Sequence, residues 1–269
     1  MDANQENNRA AWLEGPAAKC SPIPNRSGPA WRLVLLGPPG VGKGTQAALL
    51  SRHLGVCHLS TGDLFRAARN RSETDSTPAM AAALDVMRRG HLVPDEIVWD
   101  MVNERVGCLR CPGGFVLDGF PRTLGQAESL KLLLEQEGLP LHAVVNYVLP
   151  VAEIVSRLSG RRTCEKCKSI FHVTAQPPRA EGICDQCGGR LYQREDDRPD
   201  SITIRLEAYE RSTAPLIQFY RSLGLLTPVL ATGSPQKIFQ RALTELEARR
   251  AAELSDVDLS TTGQRIPKA

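Results

Sequence analysis

The chain has 269 residues, of which 42% are hydrophobic and 23% charged, and it carries a net charge of +3. This composition is ordinary for a soluble globular protein and excludes a wholly disordered, collagenous or disulfide-scaffold chain. No window approaches about 18 uninterrupted apolar residues, so we expect no membrane-spanning helix. The small charge excess is by itself no argument for a nucleic-acid partner.

Residues 1–30 are rich in Asn, Pro, Ala and Ser and show no periodicity, so we expect a flexible tail there. They contain no apolar core typical of a signal peptide, and Asp2, Glu6 and Glu14 argue against a transit peptide. We therefore expect a cytoplasmic protein, in which the eight cysteines stay reduced. Paired cysteines in that setting indicate metal or redox chemistry.

Short apolar runs alternate with helical patterns along most of the chain. The run 32–36 ends at Gly37 and predicts a buried strand, and 46–54 predicts the helix that follows it. Further strands are predicted at 56–59, 115–117, 143–149 and 228–230, and further helices at 79–89, 96–106, 124–137, 151–159, 201–223 and 236–254. This alternation predicts a parallel sheet with helices on both faces. Two stretches look inserted into it, residues 64–93 and 162–193.

A glycine-rich loop lies between the first predicted strand and its helix, which is the position that a phosphate-binding P-loop requires. Its residues are Gly37, Pro38, Pro39, Gly40, Val41, Gly42, Lys43, Gly44 and Thr45. Glycines let successive backbone N–H groups point inward, and the helix N-terminus adds roughly half a positive charge. Lys43 is placed to reach the outer phosphates and Thr45 the magnesium shell. A turn that binds nothing is the plain alternative, which Lys43 and the strand–helix context disfavour.

Asp118 ends the predicted strand 115–117. A carboxylate at the C-terminal tip of a strand beside the P-loop is where a residue that orders Mg²⁺ belongs. An ordinary strand-end Asp that caps the next turn is the alternative, and position alone does not separate the two interpretations.

The loop with Gly44 directly after Lys43 resembles the adenylate kinase variant of the P-loop. Further segments agree with that family in order and spacing: 59–66 (LSTGDLFR), 118–122 (DGFPR), 160–162 (GRR) and 194–198 (REDDR), the last leading to Arg205. Several motifs in order are more specific than any one of them, and the resemblance covers residues 32–246. The chain is therefore similar to the long-lid adenylate kinases of bacterial type.

The resemblance implies the fold of a P-loop nucleoside monophosphate kinase, an α/β protein with a five-stranded parallel sheet and helices on both faces. The implied reaction is Mg·ATP + AMP ⇌ 2 ADP. The expected parts are a flexible N-terminal tail at 1–30, a kinase domain at 31–250 and a C-terminal tail at 251–269. Within the domain they are a core at 31–60, 94–160 and 198–250, a helical AMP-binding arm at 61–93 and a zinc-ribbon-like lid at 161–197.

The site residues of the family carry over by position. The implied ATP contacts are the phosphate site at Gly40, Val41, Gly42, Lys43, Gly44 and Thr45, the lid contacts Arg161, Ile170 and Phe171, and the backbone at Pro235 beside the adenine ring. The implied AMP contacts are Thr61, Arg66, His91, Leu92, Val93, Gly119, Phe120, Pro121, Arg122, Gln126, Arg194 and Arg205. The residues implied as catalytic are Lys43, Asp118, Arg122, Arg157, Arg161, Arg194 and Arg205.

The chemistry of phosphoryl transfer supports this assignment. Transfer between two polyanions requires cations that converge when both substrates are bound, because positioning and charge stabilisation outweigh covalent chemistry. The five arginines of the implied catalytic set provide such a ring. An arginine considered alone is more often a solvated surface residue, so the assignment depends on the pattern that the five arginines share with the family. Asp196 and Asp197 could be a solvated run of charges; interpreted with the family, they close the lid by pairing with arginines when nucleotide binds.

The second inserted stretch contains two C-x2-C pairs with 16 residues between them, which is within the zinc-ribbon range. These cysteines are Cys164, Cys167, Cys184 and Cys187. Four thiolates complete a tetrahedron and leave no open coordination position, so we expect a structural Zn²⁺ or a similar divalent metal. Four cysteines that bind no metal, or a redox pair, are the alternatives. A third pair, Cys108 and Cys111, is interpreted as loop or partly buried thiols far from the lid.

Other functions stay open at this point. Within the class, the donor could be GTP or the acceptor UMP or CMP, although Thr61 and Gln126 favour AMP. A zinc-ribbon nucleic-acid-binding protein needs aromatic residues interleaved with basic ones, and the lid has only Phe171 and Tyr192. A regulatory ATP-binding module is disfavoured by the intact arginines. We therefore expect ATP, AMP and ADP as partners, Mg²⁺ with ATP, a monomer, and neither nucleic acid nor a membrane.

Overall fold

The structure is a computed structural model that describes residues 10–14, 29–68, 83, 86 and 93–261. Its central sheet contains β1 (Trp31–Leu36), β2 (Cys57–Ser60), β3 (Gly114–Asp118), β4 (Ala143–Val148) and β8 (Leu226–Leu230). The strand order is β2-β3-β1-β4-β8, and all neighbouring pairs are parallel. The predicted five-stranded parallel sheet is therefore confirmed.

Helices cover both faces of this sheet. The described helices are α1 (Ala10–Glu14), α2 (Lys43–Leu54), α3 (Thr61–Ala68), α4 (Asp95–Asn103), α5 (Val106–Leu109), α6 (Leu124–Gln136), α7 (Val151–Ser159), α8 (Pro199–Ala208), α9 (Pro215–Ser222) and α10 (Pro235–Thr261). Since side chains alternate across a strand, Leu33 and Leu35 of β1 belong to one buried cluster and Val34 and Leu36 to the other. Of the helix predicted at 79–89, only residues 83 and 86 are described, and both are helical.

Three strands end at the same edge of the sheet, and this positions the site. Asp118, the last residue of β3, is opposite Leu35 of β1 and opposite Ser60 of β2. Ligands of open α/β sheets bind at the carboxyl ends of the strands. The segments that follow these strands, which begin at Gly37, Thr61 and Gly119, therefore lie together.

The helix predicted at 201–223 is interrupted. Helix α8 ends at Ala208, a π-helical turn follows at Tyr209–Thr213, and α9 begins at Pro215. Pro215 has no backbone N–H to continue the ladder of hydrogen bonds. The wider turn is closed by the N–H of Ala214, which donates to the carbonyl of Tyr209 at 2.9 Å.

The inserted segment that carries the two C-x2-C pairs forms a small sheet of its own. Strands β5 (Arg161–Cys164), β6 (Ile170–His172) and β7 (Leu191–Tyr192) are antiparallel in the order β6-β5-β7. Its buried residues form a separate cluster, Cys164, Phe171, Cys184 and Leu191. A single 3₁₀ turn, Glu195–Asp197, leads from this sheet to α8.

We expected flexible tails at both termini, and the structure describes a helical part in each of them. Residues Ala10–Glu14 form helix α1, and the side chain of Trp12 is fully buried in the main apolar cluster. One large aromatic ring buries enough surface to hold a segment that shows no periodicity. At the other end α10 continues to Thr261, because the residues after 246 are mostly good helix formers such as Ala, Glu, Arg and Leu.

None of the described helices combines the length and the apolar character that spanning a bilayer requires.

Candidate active site

The P-loop connects β1 to α2, as predicted. Gly40 has φ +79°, and a Cβ built on it would lie 2.6 Å from Cγ of Leu158. Gly42 caps α2 with φ 102° and provides no side chain that would occupy the first N–H groups of the helix. Those N–H groups, at the positive end of the helix dipole, are consequently available to an anion such as phosphate.

Lys43, the first residue of α2, lies across the mouth of the loop. Its Nζ donates to the carbonyls of Gly37 at 2.6 Å and Pro38 at 3.0 Å. Burial lowers the pKa of Lys43 to about 8, against an opposing effect of Asp118. The charges of Arg122, Arg205 and Arg161 contribute to this lowering of the pKa. Three of the predicted arginines therefore lie close enough to the P-loop lysine for their charges to act on it.

Asp118 lies beside the P-loop at the end of β3. A Cβ on Gly44 would be 3.4 Å from Oδ2 of Asp118, an ordinary van der Waals contact, so the carboxylate lies directly beside the residue after the lysine. Burial alone would raise the pKa of Asp118, but His58 and Lys43 lower it below its usual value, so the carboxylate is charged. Nε2 of His58 is 3.5 Å from Oδ2 of Asp118. Sequence reasoning missed His58, although its imidazole stands out in the short and otherwise mostly apolar strand β2.

The loop after β3 meets the residue after β2. Oγ1 of Thr61 donates to the carbonyl of Gly119 at 3.0 Å. Gly119 has φ +84°, and a Cβ there would be 2.7 Å from that hydroxyl. The next peptide bond, Phe120–Pro121, is cis, and the side chain of Phe120 is buried. This loop and Thr61 thus form one wall of the site.

Gln126 is buried behind the same wall. Its Oε1 accepts from the backbone N–H of Arg122 at 2.7 Å, and its Nε2 donates to Oδ1 of Asp95 at 2.7 Å. Asp95 also accepts from the hydroxyl of Thr123. Gln126 therefore fixes the backbone of Arg122, in addition to any contact with a ligand. Asp95 was not among the predicted residues, because an acidic residue in the first turn of a helix is common.

Two arginines at the base of the lid share a buried aspartate. Arg161 makes a bidentate pair with Asp197, with distances of 2.7 Å and 2.5 Å. Nη1 of Arg205 is 3.3 Å from Asp197 and 3.0 Å from the carboxylate of Asp196. Asp197 is fully buried, while the Asp196 side chain is 48% exposed. The structure thus brings together both acidic residues and two of the predicted arginines.

The remaining predicted arginines differ in their partners. Nη2 of Arg157 donates to the carbonyl of Ala231 at 2.8 Å and Nη1 to that of Val41 at 3.4 Å, so this side chain reaches the P-loop. Nε of Arg194 donates to Oγ1 of Thr163 within the lid at 2.9 Å. Arg122 is exposed, and its Nε donates to the carbonyl of Gly119.

The predicted lid and adenine contacts lie at the periphery. Ile170 is 41% exposed, whereas Phe171 is buried in the core of the lid, so only the backbone of Phe171 can face a ligand. The carbonyl of Pro235 accepts from Nε2 of Gln46 at 2.9 Å, which ties the start of α10 to the helix of the P-loop.

Part of the predicted AMP contacts lies outside the described residues. His91 and Leu92 are among these, and so is the side chain of Arg66, whose backbone belongs to α3. Val93 is described, and it is buried in the main apolar cluster.

The four predicted cysteines form one cluster, with all Sγ atoms within 4.8 Å of one another. Sγ of Cys164 is 3.5 Å from that of Cys187, and Sγ of Cys167 is 3.5 Å from that of Cys184. Tetrahedral Zn–S bonds of about 2.3 Å place sulfurs about 3.8 Å apart, so these residues fit a zinc ion.

Two similar turns build the cluster. The N–H of Cys164 donates to the carbonyl of Ser169 at 2.9 Å, and that of Cys184 to the carbonyl of Gly189 at 2.8 Å. Burial would raise the pKa of the Cys167 thiol, but hydrogen bonds with Ser169 and the neighbouring thiols lower it to about 6. Burial raises the pKa of Cys184 to about 11. Four thiols this close cannot all ionise without a cation, so the donor set suits a divalent metal.

The third C-x2-C pair lies elsewhere, as predicted. Sγ of Cys57 in β2 donates to Sγ of Cys111 at 2.9 Å. Cys108 and Cys111 are partly buried and pack against the main apolar cluster.

The arrangement as a whole can hold two anions on either side of Lys43. The P-loop N–H groups receive one, and the wall of Thr61 and Gly119 bounds the space for the other. Arg122, Arg161 and Arg205 lie close enough to Lys43 for their charges to lower its pKa. Such a ring of fixed cations can stabilise negative charge that moves from one anion to the other.

Comparisons with known proteins agree with this geometry. Residues 35–225 match the family model described as Adenylate kinase. A protein named Adenylate kinase from Carboxydothermus hydrogenoformans is 47% identical over 208 residues, covering 77% of this chain and 95% of the relative. Those from Streptomyces griseus and Streptomyces avermitilis are 46% and 44% identical, covering 81% and 82% of this chain and 98% and 100% of the relatives.

Proposed function

The chain belongs to the adenylate kinase family and is a phosphotransferase, and on that basis we propose which of its residues carry out the reversible transfer from ATP to AMP. The observation that carries the assignment is that the positive charges of Arg122, Arg161 and Arg205 all act on Lys43 of the P-loop. Positive charges around one P-loop lysine are what two polyphosphate substrates require.

On the donor side, ATP binds with its phosphates on residues 40–45. The N–H groups at the start of α2 hold the phosphate oxygens, and the Lys43 ammonium turns from its own loop carbonyls to the outer phosphates. Arg157 already contacts the P-loop carbonyl of Val41 and lies near the transferred group. Arg161, Ile170 and the Phe171 backbone close over the nucleotide, and the adenine lies beside Pro235.

On the acceptor side, AMP binds against the wall formed by Thr61 and residues 119–122. Gln126 holds the backbone of Arg122, so the arginine that meets the acceptor phosphate is fixed at its base. Arg66, Val93, Arg194 and Arg205 complete this side, together with His91 and Leu92 from the segment outside the described residues. An arginine placed in this way is worth about 10³–10⁵ in rate in phosphoryl transfer.

Two metal ions accompany the reaction in this proposal. Asp118 and Thr45 would hold Mg²⁺ with its water shell beside the P-loop, and the ion neutralises phosphate charge when bound. Cys164, Cys167, Cys184 and Cys187 would hold a structural Zn²⁺, which replaces the core that so small a lid cannot build.

Closure of the lid and arm excludes water from the transferred phosphoryl group, which otherwise reacts by hydrolysis. The lid is joined to the core at two places, Arg161 and Asp197, and these two residues pair with each other. We further expect the protein to act as a cytoplasmic monomer without nucleic acid.

A nucleotide panel tests the proposal. Purified protein is mixed with Mg·ATP or Mg·GTP and with AMP, CMP, UMP or GMP, and the products are separated by chromatography. Among these pairs, we expect rapid ADP formation only when the donor is ATP and the acceptor is AMP. Turnover with another acceptor would overturn the assignment of Thr61 and Gln126 to AMP. No turnover with any pair, from folded and zinc-loaded protein, would favour a binding module without catalysis.

A further inference from the structure

A segment outside the family match is built into the acceptor side of the site. The match begins at residue 35, while Trp12 lies in helix α1. The side chain of Trp12 is fully buried. It belongs to the same apolar cluster as Leu64 of α3 and Met101 of α4. The ring therefore lies in the same apolar core as the helix that begins the arm and the helix that follows it.

Hydrogen bonds hold Trp12 through both its side chain and its backbone. Nε1 of Trp12 donates to the carbonyl of Ser60 at 3.0 Å. The carbonyl of Trp12 accepts from Nε of Arg105 at 2.8 Å, and Nη1 of the same arginine donates to the carbonyl of Met101 at 3.0 Å. Arg105 is itself buried. Since buried polar groups are costly to leave unpaired, these bonds specify one position for α1.

The peptide that Trp12 holds is the one that carries Thr61. The carbonyl of Ser60 belongs to the peptide unit whose nitrogen is that of Thr61, and the hydroxyl of Ser60 accepts from the N–H of Asp63 at 3.2 Å. Thr61 in turn contacts the carbonyl of Gly119. Trp12 thus supports the turn at which β2 becomes α3, directly behind the AMP wall.

We propose that Trp12 is a positioning residue for the nucleoside monophosphate: the N-terminal segment sets the orientation of Thr61 and the start of the arm. This inference rests on the proposed function of Thr61 as an AMP contact. Trp12 touches no substrate and acts through the Ser60–Thr61 peptide. Its hydrogen bonds within the described part of the chain lead to Ser60 and Arg105 and not to the P-loop, so we expect its effect to be confined to the acceptor.

Steady-state kinetics of two variants test the proposal in the full-length, zinc-loaded protein. Trp12→Phe keeps an aromatic ring in the cluster and removes the N–H donor, whereas Trp12→Ala removes both. With Trp12→Phe we expect KM for AMP to rise about threefold to tenfold, the effect of one lost hydrogen bond. Trp12→Ala raises it more, while KM for ATP and kcat at saturating AMP stay within about twofold in both variants. Calorimetric titration with AMP provides the same comparison without turnover.

Trp99→Phe is the matched control, because Trp99 of α4 is a partly buried tryptophan that packs against the same cluster. It leaves both KM values unchanged if the effect belongs to Trp12. An equal rise in both KM values, or a lower kcat and melting temperature with unchanged KM for AMP, means that Trp12 is only structural and overturns the inference. If Trp12→Ala does not fold, Trp12→Phe decides alone. A wild-type protein that neither binds nor phosphorylates AMP would instead contradict the proposed function, and the inference with it.

Discussion

Burial lowers the pKa of Lys43 to about 8, so this side chain loses its charge over a pH range just above neutral. A bound triphosphate stabilises the ammonium form, so only protonated Lys43 binds ATP well. Raising the pH from 7 to 9 therefore weakens ATP binding by about tenfold, since most Lys43 side chains lose their proton over that window. Isothermal titration in excess Mg²⁺ at several pH values measures this. Lys43→Arg keeps its charge and should bind with no such dependence; a flat profile in the wild type would contradict the assignment.

Gly119 allows the acceptor wall to form. Its φ of +84° and the 2.7 Å approach of a Cβ to Oγ1 of Thr61 leave no space for a side chain. Gly119→Ala is therefore expected to displace Thr61 and raise KM for AMP at least about tenfold, with KM for ATP little changed. Gly125→Ala is the control, because its Cβ meets only Oδ2 of Asp95 at 3.5 Å. Equal kinetics in both variants would mean that this wall does not contact AMP.

At the scale of elements, the two aspartates of the 3₁₀ turn at the base of the lid can be compared through their asparagine variants. Asp197→Asn leaves Arg161 and Arg205 without their shared, fully buried carboxylate, so we expect a loss of about 3–5 kcal/mol in the free energy of unfolding. Asp196→Asn removes a half-exposed partner of Arg205 and should cost no more than about 1 kcal/mol. Urea denaturation of the two variants measures the difference. Similar losses would show that Asp197 does not hold the lid to the core.

Most elements were predictable because their signals are local. The strand and P-loop at residues 32–45 follow from an apolar run that meets glycines, and the cysteine cluster follows from spacing alone. The π-helical turn at Tyr209–Thr213 was not predictable, since it depends on how α8 and α9 dock. Helix α1 was missed for a related reason: Trp12 is held by Ser60 and Arg105, residues far along the chain. The Asp197 pairs, by contrast, were expected once the family was considered.

For the molecule as a whole, the apolar cluster of the lid is separate from the two clusters of the core among the described residues, which predicts that the lid and core can lose structure independently. The lid cluster is small and consists largely of the predicted metal ligands. A structural zinc contributes about 10–16 kcal/mol in zinc-finger peptides at neutral pH. Chelation is therefore expected to unfold the lid and abolish phosphoryl transfer, while the P-loop core keeps its helical circular dichroism and its main melting transition. Restoration of activity by added Zn²⁺ is the control. Unchanged activity after verified metal removal would contradict a metal-bearing lid.

The contacts of α10 have a consequence for how the protein folds during its synthesis. Arg250 of α10 stacks on the ring of Trp31, the first residue of β1, at 3.8 Å, and its Nη2 donates to the carbonyl of Ala30. The edge strand β8 and Pro235 follow the other strands of the central sheet along the chain. A nascent chain that has not yet reached β8 and α10 therefore holds the P-loop but neither the sheet edge nor the proposed adenine contact at Pro235. We therefore expect nucleotide to bind only once β8 and α10 have been synthesised, and not to assist the folding of the earlier strands.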